Sequence, residues 1–131
     1  MSRRSTIAGF TLVELLITMA IVAILSMLAL PSYKQFVYRG NRADATSALL
    51  KIQLAQEKWR VNHTTYGTLV ALGINSASEQ GKFTIAISAN TATGYVATAT
   101  ALGAQLNDTG CTTLTLTVSG TGETRTPATC W

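Results

Sequence analysis

Residues 9–31 read GFTLVELLITMAIVAILSMLALP. From Phe10 to Leu30 the stretch carries one ionisable side chain, Glu14. A helix rises about 1.5 Å per residue, so about 20 such residues cross a hydrocarbon core of about 30 Å. The stretch is therefore a membrane-spanning candidate. A short polar leader containing Arg3 and Arg4 ends at Gly9. The apolar run starts at Phe10, and the acid follows four residues on. An ordinary signal peptide places a small-residue cleavage site behind its apolar core. Here Ser26 to Ala29 imitates such a site only weakly.

Behind the span, Pro31 lacks an N–H and its ring opposes the carbonyl four residues back. It should kink the helix without ending it, because membrane helices tolerate proline where the freed groups find partners. Helical sequence resumes at once, with Gly40 as a second soft point. The expectation is one long helix from about Thr11 to Val61. In its second half Ala45, Ala48, Ile52, Ala55 and Trp59 are spaced 3, 4, 3, 4, with Leu49 beside them. That stripe should face a core. Asp44, Ser47, Lys51 and Lys58 fall on a flank expected to be solvated. A second apolar stripe, Ala43, Leu50, Leu54 and Val61, lies nearly opposite the first. It is either a subunit contact or covered by the loop from Thr64 to Gln80.

Strand signals follow. Phe83, Ile85 and Ile87 alternate with Thr84, Ala86 and Ser88, and Asn90 to Gly94 make a turn. Tyr95 to Ala101 is the second run, and Leu114, Leu116 and Val118 mark the third. Gly120 and Gly122 then turn the chain toward a short last segment ending at Cys130 and Trp131. Three runs joined by short turns imply an antiparallel meander, with the Ile52 stripe packed on its apolar face. The fold class is α+β.

The formal charge of +4 falls to +2 once Arg3 and Arg4 leave with the leader, so the basic balance is weak evidence for nucleic acid. Positive residues flank the span on both sides, and charge bias alone does not orient it. The two cysteines, Cys111 and Cys130, lack CxxC spacing and a histidine cluster, which argues against zinc. As a pair they read as a disulfide, which places the C-terminal domain outside the cytoplasm.

GFTLVE, the apolar run behind it and the closing Pro31 resemble the amino-terminal segment of type IV pilins and their secretion pseudopilin relatives. The layout of helix, loop, antiparallel sheet and terminal disulfide loop is also the pilin order. YGTLVALG and the final ATCW look like the minor pilins of the type IVa class, nearest the PilE type. The resemblance implies three parts: a leader of residues 1–9, a transmembrane and fibre-core helix of residues 10–31, and a periplasmic head of residues 32–131. It implies that a prepilin peptidase cuts after Gly9 and methylates Phe10. It further implies that Glu14 guides docking by pairing with a terminal amine, and that the chain passes from the inner membrane to an extracellular pilus. Its partners would be major and minor pilins, the peptidase and the inner-membrane assembly machinery.

No catalytic constellation, cofactor motif or metal-ligand spacing is legible. His63 sits beside Thr64 and Thr65 at a helix end, where it can cap the terminus. Asp108 and Glu123 read as solvated turn residues. Arg39, Arg42, Lys51, Lys58 and Arg60 spread around the helix, and between the cysteines only Arg125 is basic. Such scattered cations read first as solubilising charge, although phosphate contacts would use the same side chains. The first expectation is a minor or priming subunit of a type IV pilus. Alternatives are a DNA-receptor pilin of natural transformation, a major pilin, a type II secretion pseudopilin, or a membrane-anchored binding domain that never polymerises.

Overall fold

The computed structural model describes residues 9–131, so Arg3 and Arg4 of the expected leader lie outside the described residues. The chain divides into two compact units, Met1–Lys34 and Gln35–Trp131. One helix, α1, runs Leu12–Arg60 and continues through Pro31.

In the first unit the apolar side chains surround the helix and none is buried. The helix is long and apolar enough to cross a membrane. Its hydroxyls fold back on the helix itself. Thr18 Oγ1 donates to the Leu15 carbonyl (2.8 Å), Ser26 Oγ to Val22 (2.7 Å) and Ser32 Oγ to Leu28 (3.4 Å). A lipid-facing helix needs this, since hydrocarbon offers no partner to a free donor.

The second unit holds a four-stranded antiparallel sheet, β1 Phe83–Ser88, β2 Tyr95–Ala101, β3 Thr113–Ser119 and β4 Gly122–Thr126, in sequence order. Strand alternation divides its faces. Phe83, Ile85, Tyr95, Ala97, Ala99, Ala101, Leu114 and Leu116 are buried in one core with Ala45, Leu49 and Ile52 of α1. Ala45 and Ile52 of the expected stripe, with Leu49 beside them, are thus in the core and Ala48 packs against it, while Ala55 and Trp59 are only half-buried and Gln56 is the buried residue of that turn. The alanines of β2 are small, which leaves room for Leu49 and Ile52 to fill the interior at close-packed density. The other sheet face is hydroxyl-rich: Thr84 pairs with Thr100, Thr98 with Thr115, and Thr117 with Thr124. At Gly94 a Cβ would lie 2.3 Å from the Val118 carbonyl oxygen, so only glycine lets the β1–β2 turn close on β3.

Two features depart from expectation, and a third decides between two readings left open. The last segment is a true fourth strand. Its GETRT sequence has no apolar alternation because it is an exposed edge, paired to β3 through Leu116–Arg125 and Val118–Glu123. Asp44, expected on a solvated flank, is 5% exposed. Its carboxylate accepts from Ser78 Oγ (2.6 Å) and from the Gln80 N–H (3.1 Å), which offsets its desolvation. Finally, the Thr64–Gln80 loop does not cover the second helix stripe. It is held along the other flanks of α1 by Asp44 and by Gln56, which exchanges two bonds with Gly67. Leu50, Leu54 and Val61 stay exposed.

Cys111 and Cys130 form the expected disulfide, closing a separation of 19 residues with a Cα–Cα distance of 5.6 Å.

Candidate functional site

Gly9 and Phe10 precede the helix and are exposed, Phe10 by 81%. A Cβ built on Gly9 would meet nothing within 4 Å. Nothing in the described structure therefore requires glycine at that position. Thr11 is the N-cap of α1. Its Oγ1 accepts from the Glu14 N–H (3.2 Å), while the Glu14 carboxylate accepts from the Thr11 N–H (3.4 Å) and hydroxyl (3.3 Å). This reciprocal pair is a capping box, and it satisfies amides that begin a helix unpaired. Phe10 and Leu15 occupy the flanking positions at which a hydrophobic staple forms. Glu14 also meets the positive end of the helix dipole. The role of Thr11 was legible as T-x-x-E in TLVE, a signal the sequence reading passed over.

The part of the head around residues 38–42 of α1 is built on a buried polar cluster. Arg42 clasps Asp108 in two 2.7 Å bonds, and Asp108 is 1% exposed. Bonding to Asp108 raises the Arg42 pKa, against a smaller lowering by burial. Gln105, also buried, donates to the Tyr38 carbonyl (3.2 Å) and to Asp108 (3.0 Å) and accepts from Asn41 Nδ2 (3.0 Å). The 3-10 turn Gly103–Asn107 is thereby fastened to α1. Asp108 is a structural anchor, not the solvated turn residue expected from sequence.

The other cations divide into paired and unpaired. Lys51 pairs with Glu79 and Arg125 with Glu123. Arg60 lies 5.0 Å over the Tyr66 ring and donates to the His63 carbonyl (3.2 Å). His63 stacks on Trp59 at 3.6 Å, with Nδ1 2.9 Å from the Trp59 carbonyl, and so closes the helix C-terminus as expected. Among the described residues of the head, Arg39, Lys58 and Lys82 make no ion pair. The fold also gathers cations that the sequence scatters. Arg39, Arg42, Thr46, Thr129 and Trp131 line a groove of about 360 Å³, and Arg125 lies 5.3 Å over the Trp131 ring.

Comparison with known proteins gives two family matches that abut. The prokaryotic N-terminal methylation motif matches residues 4–30. A family described as type IV minor pilin ComP, DNA uptake sequence receptor, matches residues 31–115. Among curated relatives, the type IV major pilin protein PilE1 of Neisseria gonorrhoeae is 39% identical over 66 residues, 45% of this chain and 40% of its own. The type IV major fimbrial protein FimA of Dichelobacter nodosus is 31% identical over 80 residues, 60% of this chain and 50% of its own. The type IV wide pilus major component PilA4 of Thermus thermophilus is 34% identical over 81 residues, 59% of this chain and 62% of its own. The matched region thus spans less than two thirds of each of these relatives.

Proposed function

This chain belongs to the type IV minor pilin family of ComP, and on that premise we propose that it is a processed subunit of a type IV pilus that also meets DNA. The observation that carries the proposal is the methylation motif over residues 4–30 set directly before a pilin head, at a glycine its own fold does not need. A requirement that does not come from the fold comes from a second protein, here a prepilin peptidase that accepts no side chain before the cut. Cleavage after Gly9 leaves Phe10 as the terminus to be methylated. Residues 10–31 then hold the chain in the inner membrane and later enter the fibre core. The exposed Leu50 and Leu54 are available to neighbouring subunits in the fibre.

DNA now ranks higher than sequence alone placed it, because the family that covers the head is described as a DNA uptake sequence receptor. Among the described residues of the head, Arg39, Lys58 and Lys82 are exposed cations without an ion pair that can contact phosphates, and few such contacts give only a shallow salt dependence. The test is mass spectrometry of the membrane and sheared fibre fractions, paired with DNA binding by the full chain in detergent. A methylated Phe10 terminus in fibres and duplex binding that weakens with salt are expected. An unprocessed chain absent from fibres rejects the pilus reading; salt-independent or absent binding rejects the DNA role alone.

A further inference from the structure

The end of the head where its part of α1 begins carries exposed apolar side chains that the proposed function leaves unused, beside two of the cations it offers to DNA. Leu102 and Leu106, beside and within the 3-10 turn Gly103–Asn107, are 43% and 56% exposed, and Phe36 on α1 is 75% exposed. The turn is fixed to α1 by Asn41, Arg42 and the Tyr38 carbonyl through Gln105 and Asp108. The Leu102 N–H donates to the Lys82 carbonyl (2.8 Å), which brings Lys82 to the same turn. Arg39 follows Tyr38 on α1, and both Arg39 and Lys82 are exposed. The carboxylates that hold these elements, Asp44 and Asp108, are buried and already bonded.

Single exposed leucines are ordinary. Apolar side chains beside cations, with no exposed acid among the residues that hold the turn, form the composition of surfaces that lie on anionic lipid. Its position along the chain favours the same partner. Leu30 ends the apolar run and Phe36 comes six residues later. Even fully extended, that tether reaches only about 20 Å. The polar layer of a leaflet is about 5–8 Å deep, so this end of the head stays within reach of it.

We propose that before assembly this end of the head docks on the anionic surface of the bilayer that holds residues 10–31. Phe36, Leu102 and Leu106 enter the interfacial layer, and Arg39 and Lys82 face lipid phosphates. The proposal rests on the membrane-anchored reading above. DNA could engage the two cations, but a duplex backbone has no use for three exposed apolar side chains, and lipid uses both.

The test places the full chain in nanodiscs of phosphatidylcholine, with and without phosphatidylglycerol, and follows amide hydrogen exchange at residues 102–107. Each surface cation near anionic lipid is worth about fivefold, so exchange should slow about tenfold or more with phosphatidylglycerol. The double change Leu102→Ser with Leu106→Ser, and separately Arg39→Gln with Lys82→Gln, should each remove the difference. Leu54→Ser should preserve it, and unchanged protection at residues 95–101 reports an intact fold. Equal exchange in both lipids overturns the proposal. So does protection raised by duplex DNA in phosphatidylcholine discs but not by phosphatidylglycerol, which would assign the surface to nucleic acid. A chain released from discs by alkaline carbonate would instead overturn the anchoring itself.

Discussion

The two halves of α1 are both rich in apolar residues and treat them in opposite ways. Leu12, Met27 and Leu28 are more than 70% exposed, whereas Ala45, Leu49 and Ile52 are fully buried. The difference is one of spacing. In the second half apolar residues recur every three or four positions, so one sheet face can cover them. In the first half they occupy every face, and no single surface of the same chain could cover them all. A helix apolar all round belongs in lipid or among other helices. The first half therefore takes its stability from outside the chain and the second from within. Substitutions should separate along that line: those before Pro31 alter processing and assembly, and those in the head alter folding.

The largest effect is expected at the junction. Gly9→Val places a side chain where the fold has ample room, so folding should be untouched. Processing should fail, leaving full-length precursor in the membrane and none in sheared fibres. A normal methylated Phe10 terminus in that variant would remove the peptidase from the account.

Next comes a head-only effect. The Cys111–Cys130 link closes a 19-residue separation, for which loop entropy gives about 3 kcal/mol. In a head of modest core that is a large share of total stability. Cys130→Ser should lower the steady-state level and open the region around Trp131 to protease, with cleavage at Gly9 unaffected. An unchanged level and protease resistance would show that the sheet and the Arg42–Asp108 clasp suffice.

Which parts of this were legible in sequence follows from how local their causes are. The apolar span, the Ile52 stripe and the first three strands each rest on composition or period within a short window. β4 does not, because an exposed edge need not alternate. Asp44 and Asp108 were misplaced for another reason. Their burial is decided by Ser78 and Arg42, partners 34 and 66 residues away, and a local window shows only a charged side chain. The groove around Trp131 was hidden likewise: Arg39 and Arg42 lie one turn apart on α1, but Thr129 and Trp131, about 90 residues on, reach them only in the folded chain. The family match then changed the weight given to DNA, which scattered cations could not do.

A smaller effect should appear at high pH. Burial, with lesser help from Tyr66, Glu57 and Glu123, pushes the Tyr95 phenol up to about 12. An unfolded chain releases that proton near 10, so between about 10 and 12 the unfolded state binds fewer protons than the native one. Stability must then fall as pH rises through this window. Thermal melts of the wild type should lose more between those limits than melts of Tyr95→Phe. Parallel losses in the two proteins would show that Tyr95 does not ionise on unfolding.

The smallest effect, that of the Thr11 cap, separates two roles that compete at Glu14. As the partner of a terminal amine it must carry charge, because an unpaired carboxylate inside a dry fibre is very unfavourable. As the far half of the capping box it needs only an acceptor, and glutamine serves there as well as glutamate. Glu14→Val removes both functions, Glu14→Gln removes only the charge, and Thr11→Val removes only the cap hydroxyl. An N-cap is worth about 1 kcal/mol, so Thr11→Val should lower the amount in sheared fibres by about fivefold. Thr11→Ser should restore it, since serine supplies the same oxygen. Glu14→Gln should be nearly as defective as Glu14→Val, with cleavage and insertion intact in both. If Glu14→Gln enters fibres at wild-type levels while Thr11→Val does not, the acid acts by starting the helix, and charge pairing is not what recruits this subunit.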